Sequence, residues 1–123
     1  MTADPEDRPG VLVLVVDDQS AFRRAAVLLI RSASGLTMVG EAASGEEAVT
    51  MARSLVPDLV LMDVRLPGIN GPEATRQILA ERPDTRIILM STYEPGDLPG
   101  DLEGCGASRF LRKQDIDAAA LLA

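Results

Sequence analysis

Polar residues able to hold a cation or meet an anion stand directly after apolar runs in this chain. Asp17 and Asp18 follow Val11-Leu-Val-Leu-Val-Val16, and Asp63 follows Asp58-Leu-Val-Leu-Met62. Ser91 and Thr92 follow Arg86-Ile-Ile-Leu-Met90, and Lys113 follows Arg109-Phe-Leu111 and Arg112. Three carboxylates brought within a few ångströms repel one another, which raises their pKa values unless a cation lies between them. Mg²⁺ suits such a set, being a hard ion that takes oxygen ligands in an octahedron and keeps several waters. The lysine is informative by its rarity, since the chain uses eleven arginines and one lysine. A compact ammonium on a flexible stem reaches a buried anionic oxygen as a point charge, whereas the planar guanidinium favours bidentate partners.

Each of these residues has a plainer explanation. Asp17 or Asp18 could cap a helix starting near Ser20. Asp63 could initiate a turn, although Pro67-Gly68 already supplies turn chemistry, and serine is common at strand ends. Lys113 could be an ordinary solvated lysine. Those explanations treat the residues singly and leave their shared position after apolar runs unexplained.

The elements that must position them follow from the pattern of the chain. With 123 residues and 46% hydrophobic content the chain is one domain with one core. Its aromatics are Phe22, Tyr93 and Phe110, so Val, Leu, Ile, Met and Ala must fill the interior. A fully apolar run such as Val11 to Val16 fits a strand covered on both faces. Phe22, Ala25, Ala26, Leu29 and Ile30 recur at helical spacing up to a stop near Gly35. A second strand is predicted over Thr37 to Ala42, and Ser44-Gly-Glu-Glu47 matches a capping box for a second helix running to about Ser54. Asp58 to Met62 is the third strand, with a loop from Arg65 to Asn70 and Pro72 in the first turn of the third helix. Arg86 to Met90 and Arg109 to Leu111 are the fourth and fifth strands, and a final helix is expected from Asp115 onward. This alternation predicts an α/β fold, a flavodoxin-like, doubly wound parallel sheet of five strands in the order 2-1-3-4-5 with five helices. Such sheets bind ligands beyond the carboxyl ends of the strands, at the switch point between strands one and three. Asp17, Asp18, Asp63, Ser91, Thr92 and Lys113 all converge there.

Composition excludes several functions. A net charge of −7 opposes direct nucleic-acid binding by this segment. The apolar runs are too short to span a bilayer, and the polar start has no signal-peptide core, so a cytoplasmic location is expected. Cys105 is alone and the chain has no histidine, which leaves it the role of a small packed residue. Residues 1–10 are expected to form a flexible leader and residues 11–123 the domain. A P-loop or a G-x-G-x-x-G turn after a strand is missing. A dehalogenase-type phosphatase would need a second Asp two residues beyond Asp63, where Arg65 stands.

The set Val-Asp17-Asp18, Met62-Asp63-x-x-x-Pro67-Gly68, Met90-Ser91 and Gly106-Ala-x-x-Phe110-x-x-Lys113 resembles the receiver domains of two-component response regulators. The resemblance covers Val11 to Ala123, and the Asp17-Asp18-Gln-Ser-Ala-Phe-Arg-Arg wording is similar to the NarL/FixJ branch. Single motifs of this kind are common, but their order and spacing together are specific. The resemblance implies Mg²⁺, or Mn²⁺ in its place, held by Asp18, Asp63, the backbone carbonyl of Arg65 and water, with Asp17 mainly in the water shell. It implies that Asp63 accepts a phosphoryl group from the phosphohistidine of a sensor histidine kinase, forming an acyl phosphate. Lys113, Ser91 and at most the backbone amide of Thr92 would meet the phosphoryl oxygens. Ser91 and Phe110 would act as the switch pair. Members of this branch usually carry a C-terminal helix-turn-helix output domain that regulates transcription, which these residues do not include, and a homodimer is among the assemblies left open. The alternative is a receiver-like interaction module that works without phosphorylation, but such modules typically lack the Asp or Lys that this chain retains.

Two departures from the family pattern change expectations. Gln114 follows Lys113 where many receivers have proline, so a trans bond is expected. Between the fourth and fifth strands, Glu94 to Gly104 contains two Pro-Gly pairs and a further glycine, which predicts a short or displaced fourth helix. Arg65 and Tyr93, two residues beyond Asp63 and Ser91, are expected to shield the acyl phosphate from water.

Overall fold

A computed structural model describes residues 10–92 and 104–123. The elements run β1 (Val11–Val16), α1 (Ser20–Ser32), β2 (Leu36–Ala42), α2 (Gly45–Leu55), β3 (Leu59–Asp63), α3 (Gly71–Glu81), β4 (Arg86–Ser91), β5 (Arg109–Arg112), a 3-10 turn (Lys113–Asp115) and α4 (Ala118–Leu122). The sheet order is β2-β1-β3-β4-β5, and every strand pair is parallel. This is the predicted doubly wound topology. The leader expected over residues 1–10 and the short or displaced fourth helix expected between β4 and β5 fall mainly outside the described residues, as does Tyr93.

Successive residues of a strand face opposite sides of the sheet, and the core divides accordingly. Leu14, Val16, Val60, Met62, Ile87 and Leu89 pack beneath α2 and α3. Val13, Val15, Leu59, Leu61, Ile88 and Met90 pack against α1 and α4 through Ala26, Ile30 and Leu121. Cys105 is buried in the first of these layers.

Local chemistry fixes the ends of the elements. Ser44 Oγ accepts from the Glu47 N–H at 3.1 Å. The Glu47 carboxylate reaches back to the Ala43 N–H at 2.8 Å, one residue beyond its partner in the usual capping box. Asn70 caps α3 by accepting from the Glu73 N–H at 2.9 Å, and Pro72 lies in the first turn, where its missing N–H costs nothing. α2 ends at Val56, whose φ of 48° is left-handed, a conformation that a β-branched residue adopts at a cost.

Two boundaries differ from the sequence pattern. Asp58 precedes β3 instead of opening it, and its carboxylate accepts from the Leu12 N–H at 2.9 Å, tying the starts of β1 and β3 together. The final helix starts at Ala118 and not at Asp115, because Ile116 stays extended and packs against the core layer under α1. Asp117 then supplies the cap, accepting from the Ala120 N–H at 2.7 Å. The Lys113–Gln114 bond is trans.

Candidate functional site

The carboxyl ends of β1, β3 and β4 and the turn after β5 meet at one rim of the sheet. Asp63 is the last residue of β3 and pairs in register with Met90, one residue before Ser91. Asp17 continues β1 by donating its N–H to the Ala42 carbonyl at 3.0 Å. Asp17, Asp18 and Asp63 each present a carboxylate oxygen to a common point, the three oxygens lying within 4.8 Å of one another. Asp17 and Asp63 are 0% and 7% exposed, while Asp18 faces solvent.

The Lys113 side chain closes this group. Its Nζ lies 2.6 Å from Asp17 Oδ2 and 3.6 Å from Asp63 Oδ2, and it donates to Gln19 Oε1 at 3.3 Å. The ammonium is the partner of the buried Asp17 Oδ2, in a short ion pair. The other Asp17 oxygen accepts from the Gln19 N–H at 2.8 Å. Neither aspartate caps α1, whose N-cap is Gln19 without a side-chain bond. Arg23 fixes the turn from outside, donating to the Asp17 carbonyl at 2.6 Å while pairing with Glu41 at 3.4 Å.

Burial pushes the Asp63 carboxyl up from 3.8 to about 6. The Lys113 ammonium opposes this, the charges of Asp17 and Asp18 add to it, and the Arg65 N–H lowers it by bonding Asp63 Oδ1 at 3.3 Å. Asp63 is thus ionised at neutral pH, yet held in a setting that disfavours its charge.

An open cleft of about 200 Å³ lies over the group, bordered by Asp18, Gln19, Asp63, Arg65, Ser91, Thr92 and Lys113. Larger hollows of about 300 and 370 Å³ lie between the α2–β3 and α3–β4 turns and along α1. Size does not select the site. Convergent polar groups with a perturbed carboxyl do, and these belong to the smaller cleft. Ser91 is buried at the rim and Thr92 is exposed. Phe110 stands apart from the cleft, half-buried on the α2 and α3 side and paired in register with Leu89.

The rim gathers Asp17, Asp18, Asp63, Arg65, Ser91, Thr92 and Lys113, as the sequence predicts. Sequence reasoning missed Gln19 and Phe22. The Lys113 ammonium sits 4.5 Å from the centre of the Phe22 ring, although Phe22 reads in the sequence only as part of an apolar stripe. The signal available was its spacing, one helical turn beyond Gln19 and next to the acidic pair. Gly71 was missed as well. Its N–H donates to the Val64 carbonyl at 2.9 Å, and a Cβ there would run into the Asp63 carbonyl.

A doubly wound parallel sheet with three carboxylates, a serine and a lysine at its switch point defines a CheY-like α/β phosphoacceptor fold. Residues 13–123 match the sequence model of the response regulator receiver domain, and the chain belongs to that family. It is 42% identical over 103 residues to the response regulator GacA of Pseudomonas viridiflava, a stretch covering 84% of this chain and 48% of that protein. It is 39% identical over 101 residues to the response regulator UvrY of Escherichia coli, covering 82% of this chain and 46% of UvrY. The chain therefore spans about half the length of these relatives. A LuxR-family two-component response regulator from Aurantimonas superposes with a TM-score of 0.81 at 33% identity, over 92% of this chain and 80% of that one. The chain is accordingly a response regulator receiver domain, a phosphoacceptor switch, similar to those of GacA, UvrY and a LuxR-family regulator. Among the described residues no helix is long and apolar enough to cross a membrane.

Proposed function

We propose that Asp63 is the phosphoryl acceptor and that a sensor histidine kinase is the donor. The observation that carries this reading is the meeting of Asp63, Asp17, Asp18 and Lys113 around one open cleft. The Asp63 carboxylate attacks the phosphorus of a phosphohistidine, the P–N bond breaks, and the imidazole leaves with a proton as the acyl phosphate forms. Lys113 offers its ammonium to a phosphoryl oxygen, the Ser91 hydroxyl donates to a second, and the Thr92 backbone amide serves at the exposed edge. Positioning and charge stabilisation make up most of such catalysis.

The residues fit a divalent cation, because carboxylate oxygens of Asp17, Asp18 and Asp63 lie within 4.8 Å of one another and gather three negative charges against the one ammonium of Lys113. Asp18, Asp63 and the Arg65 carbonyl would hold Mg²⁺ or Mn²⁺, and Asp17 suits the surrounding water shell. Once bound, the ion neutralises the carboxylates and the negative charge of the incoming phosphoryl group. Arg65, at the cleft edge, shields the product from water.

Signalling then passes through Ser91 and Phe110, with Ser91 moving towards the phosphoryl group and Phe110 turning inward to reshape the face around β5. The consequence is regulation of an output domain, by analogy with the transcription-regulating branch, in the cytoplasm and with homodimerisation as one route. Incubation with Mg²⁺ and acetyl phosphate followed by intact-mass measurement tests the acceptor. One added phosphoryl group that disappears in Asp63→Asn is expected. An unmodified wild-type chain, or a modification that persists in the variant, would leave the interaction-module reading in its place.

A further inference from the structure

We infer that Phe22 is a positioning residue for Lys113: the face of its ring, with the Gln19 amide oxygen, holds the only lysine ammonium of the chain over the acidic group. The inference rests on the reading of Lys113 as a partner of the phosphoryl group. An ammonium has three N–H donors and no acceptor. Here Asp17 lies at 2.6 Å, Gln19 at 3.3 Å and Asp63 at 3.6 Å, with the Phe22 ring centre at 4.5 Å. Three of these four contacts come from the β1–α1 segment, so the lysine is anchored on the side of the rim opposite its own strand.

The ring has two effects. Its negative face attracts the cation, and more strongly where water is excluded; the Lys113 side chain is 9% exposed. Phe22 also lines a groove of about 150 Å³ with Ala25, Ala26, Leu29, Lys113 and Ile116, so the lysine stem runs along apolar surface while its head meets the carboxylates. A leucine at this place would keep the apolar contact and lose the quadrupole. Gln19 and Phe22 share a face of the helix start because they are three residues apart. The Asp17 carboxylate binds both the Gln19 N–H and, through its second oxygen, the lysine, so the helix start and the ammonium are set by the same side chain.

A single lysine makes the contact directly observable, since protein labelled with ¹³C-lysine gives one set of side-chain resonances. In the metal-free wild type the Lys113 Hε protons are expected upfield of free lysine, through the ring current of Phe22. Phe22→Leu should return them to the free position and Phe22→Tyr should retain the displacement. With Mg²⁺ and acetyl phosphate, Phe22→Leu should be phosphorylated roughly fivefold more slowly or worse, with Phe22→Tyr restoring the rate. In a Lys113→Met background the leucine change should have no further effect. Undisplaced resonances in the wild type overturn the inference, as does a wild-type rate in Phe22→Leu or an equal loss with and without Lys113. If Lys113→Met is phosphorylated at the wild-type rate although the wild-type protein shows the ring-current displacement, the contact exists and the assigned role of Lys113 is what fails. Should Phe22→Leu not fold, Phe22→Met supplies the same comparison.

Discussion

Replacing Asp63 with asparagine is expected to stabilise the metal-free domain at neutral pH and to change little in acid. The carboxyl ordinarily titrates at 3.8, and burial raises it to about 6 in the folded protein. The folded state therefore holds this proton more tightly than the unfolded chain. Below the unfolded value both states are protonated and the residue contributes no difference. As pH rises through the window from 3.8 to about 6, the unfolded chain releases its proton first, so stability falls and remains lowered above it. About two tenfold steps in the proton equilibrium, at about 1.4 kcal/mol each, come to about 3 kcal/mol. For a domain of this size that corresponds to roughly 10–20 °C in Tm. Asparagine resembles the protonated carboxyl in shape and carries no charge to desolvate. Urea unfolding of both proteins with a chelator present, at about pH 4 and about pH 7.5, measures the gap. A gap that is the same at both pH values, or a wild type more stable than the variant at the higher one, would refute the reasoning. Mg²⁺ supplies a further arm: at a hundredfold its Kd, an ion bound only to the folded wild type adds about 2.7 kcal/mol and nearly closes the gap.

Two further substitutions test the frame around the site. Val56→Gly is expected to raise stability by about 1 kcal/mol, because glycine accepts the left-handed φ of 48° that valine adopts under strain; an unchanged urea midpoint would contradict this. Gly71→Ala places a methyl group against the Asp63 carbonyl and is expected to cost about 1–3 kcal/mol. It should also slow phosphorylation by acetyl phosphate, since α3 can no longer approach the end of β3. A stable, fully active variant would show that this approach is not needed.

The fold was legible because local and global signals agree. Val11 to Val16 is apolar on both faces, and four of its six residues are completely buried. The Ser44 and Glu47 side chains mark a helix start by chemistry confined to a few neighbouring residues. Asp58 misled because acceptors just outside a strand look in sequence like its first residue, and its true partner, the Leu12 N–H, is 46 positions away. The start of α4 was displaced for a related reason. Asp115 and Asp117 are both plausible caps, and the choice between them is made by where Ile116 finds apolar cover.

The site was legible to the level of the rim and no further. Strand order carries the end of every strand to one edge, so residue type and position suffice to bring Asp17, Asp63, Ser91 and Lys113 together. Strand order does not say which of them touch. β5 is three places from β1 in the sheet, about 14 Å at the usual strand spacing, so adjacency gives no reason for Lys113 to pair with Asp17. The contact arises because Lys113 lies past the end of β5, in a 3-10 turn, and its side chain meets acceptors 94 and 96 positions earlier in the chain. Its rarity in the composition marked Lys113 as special, but the residues that hold it there, Gln19 and Phe22, are ordinary types at ordinary spacing. A functional residue could thus be found from sequence by its chemistry, whereas the residues that aim it became visible only through the folded geometry.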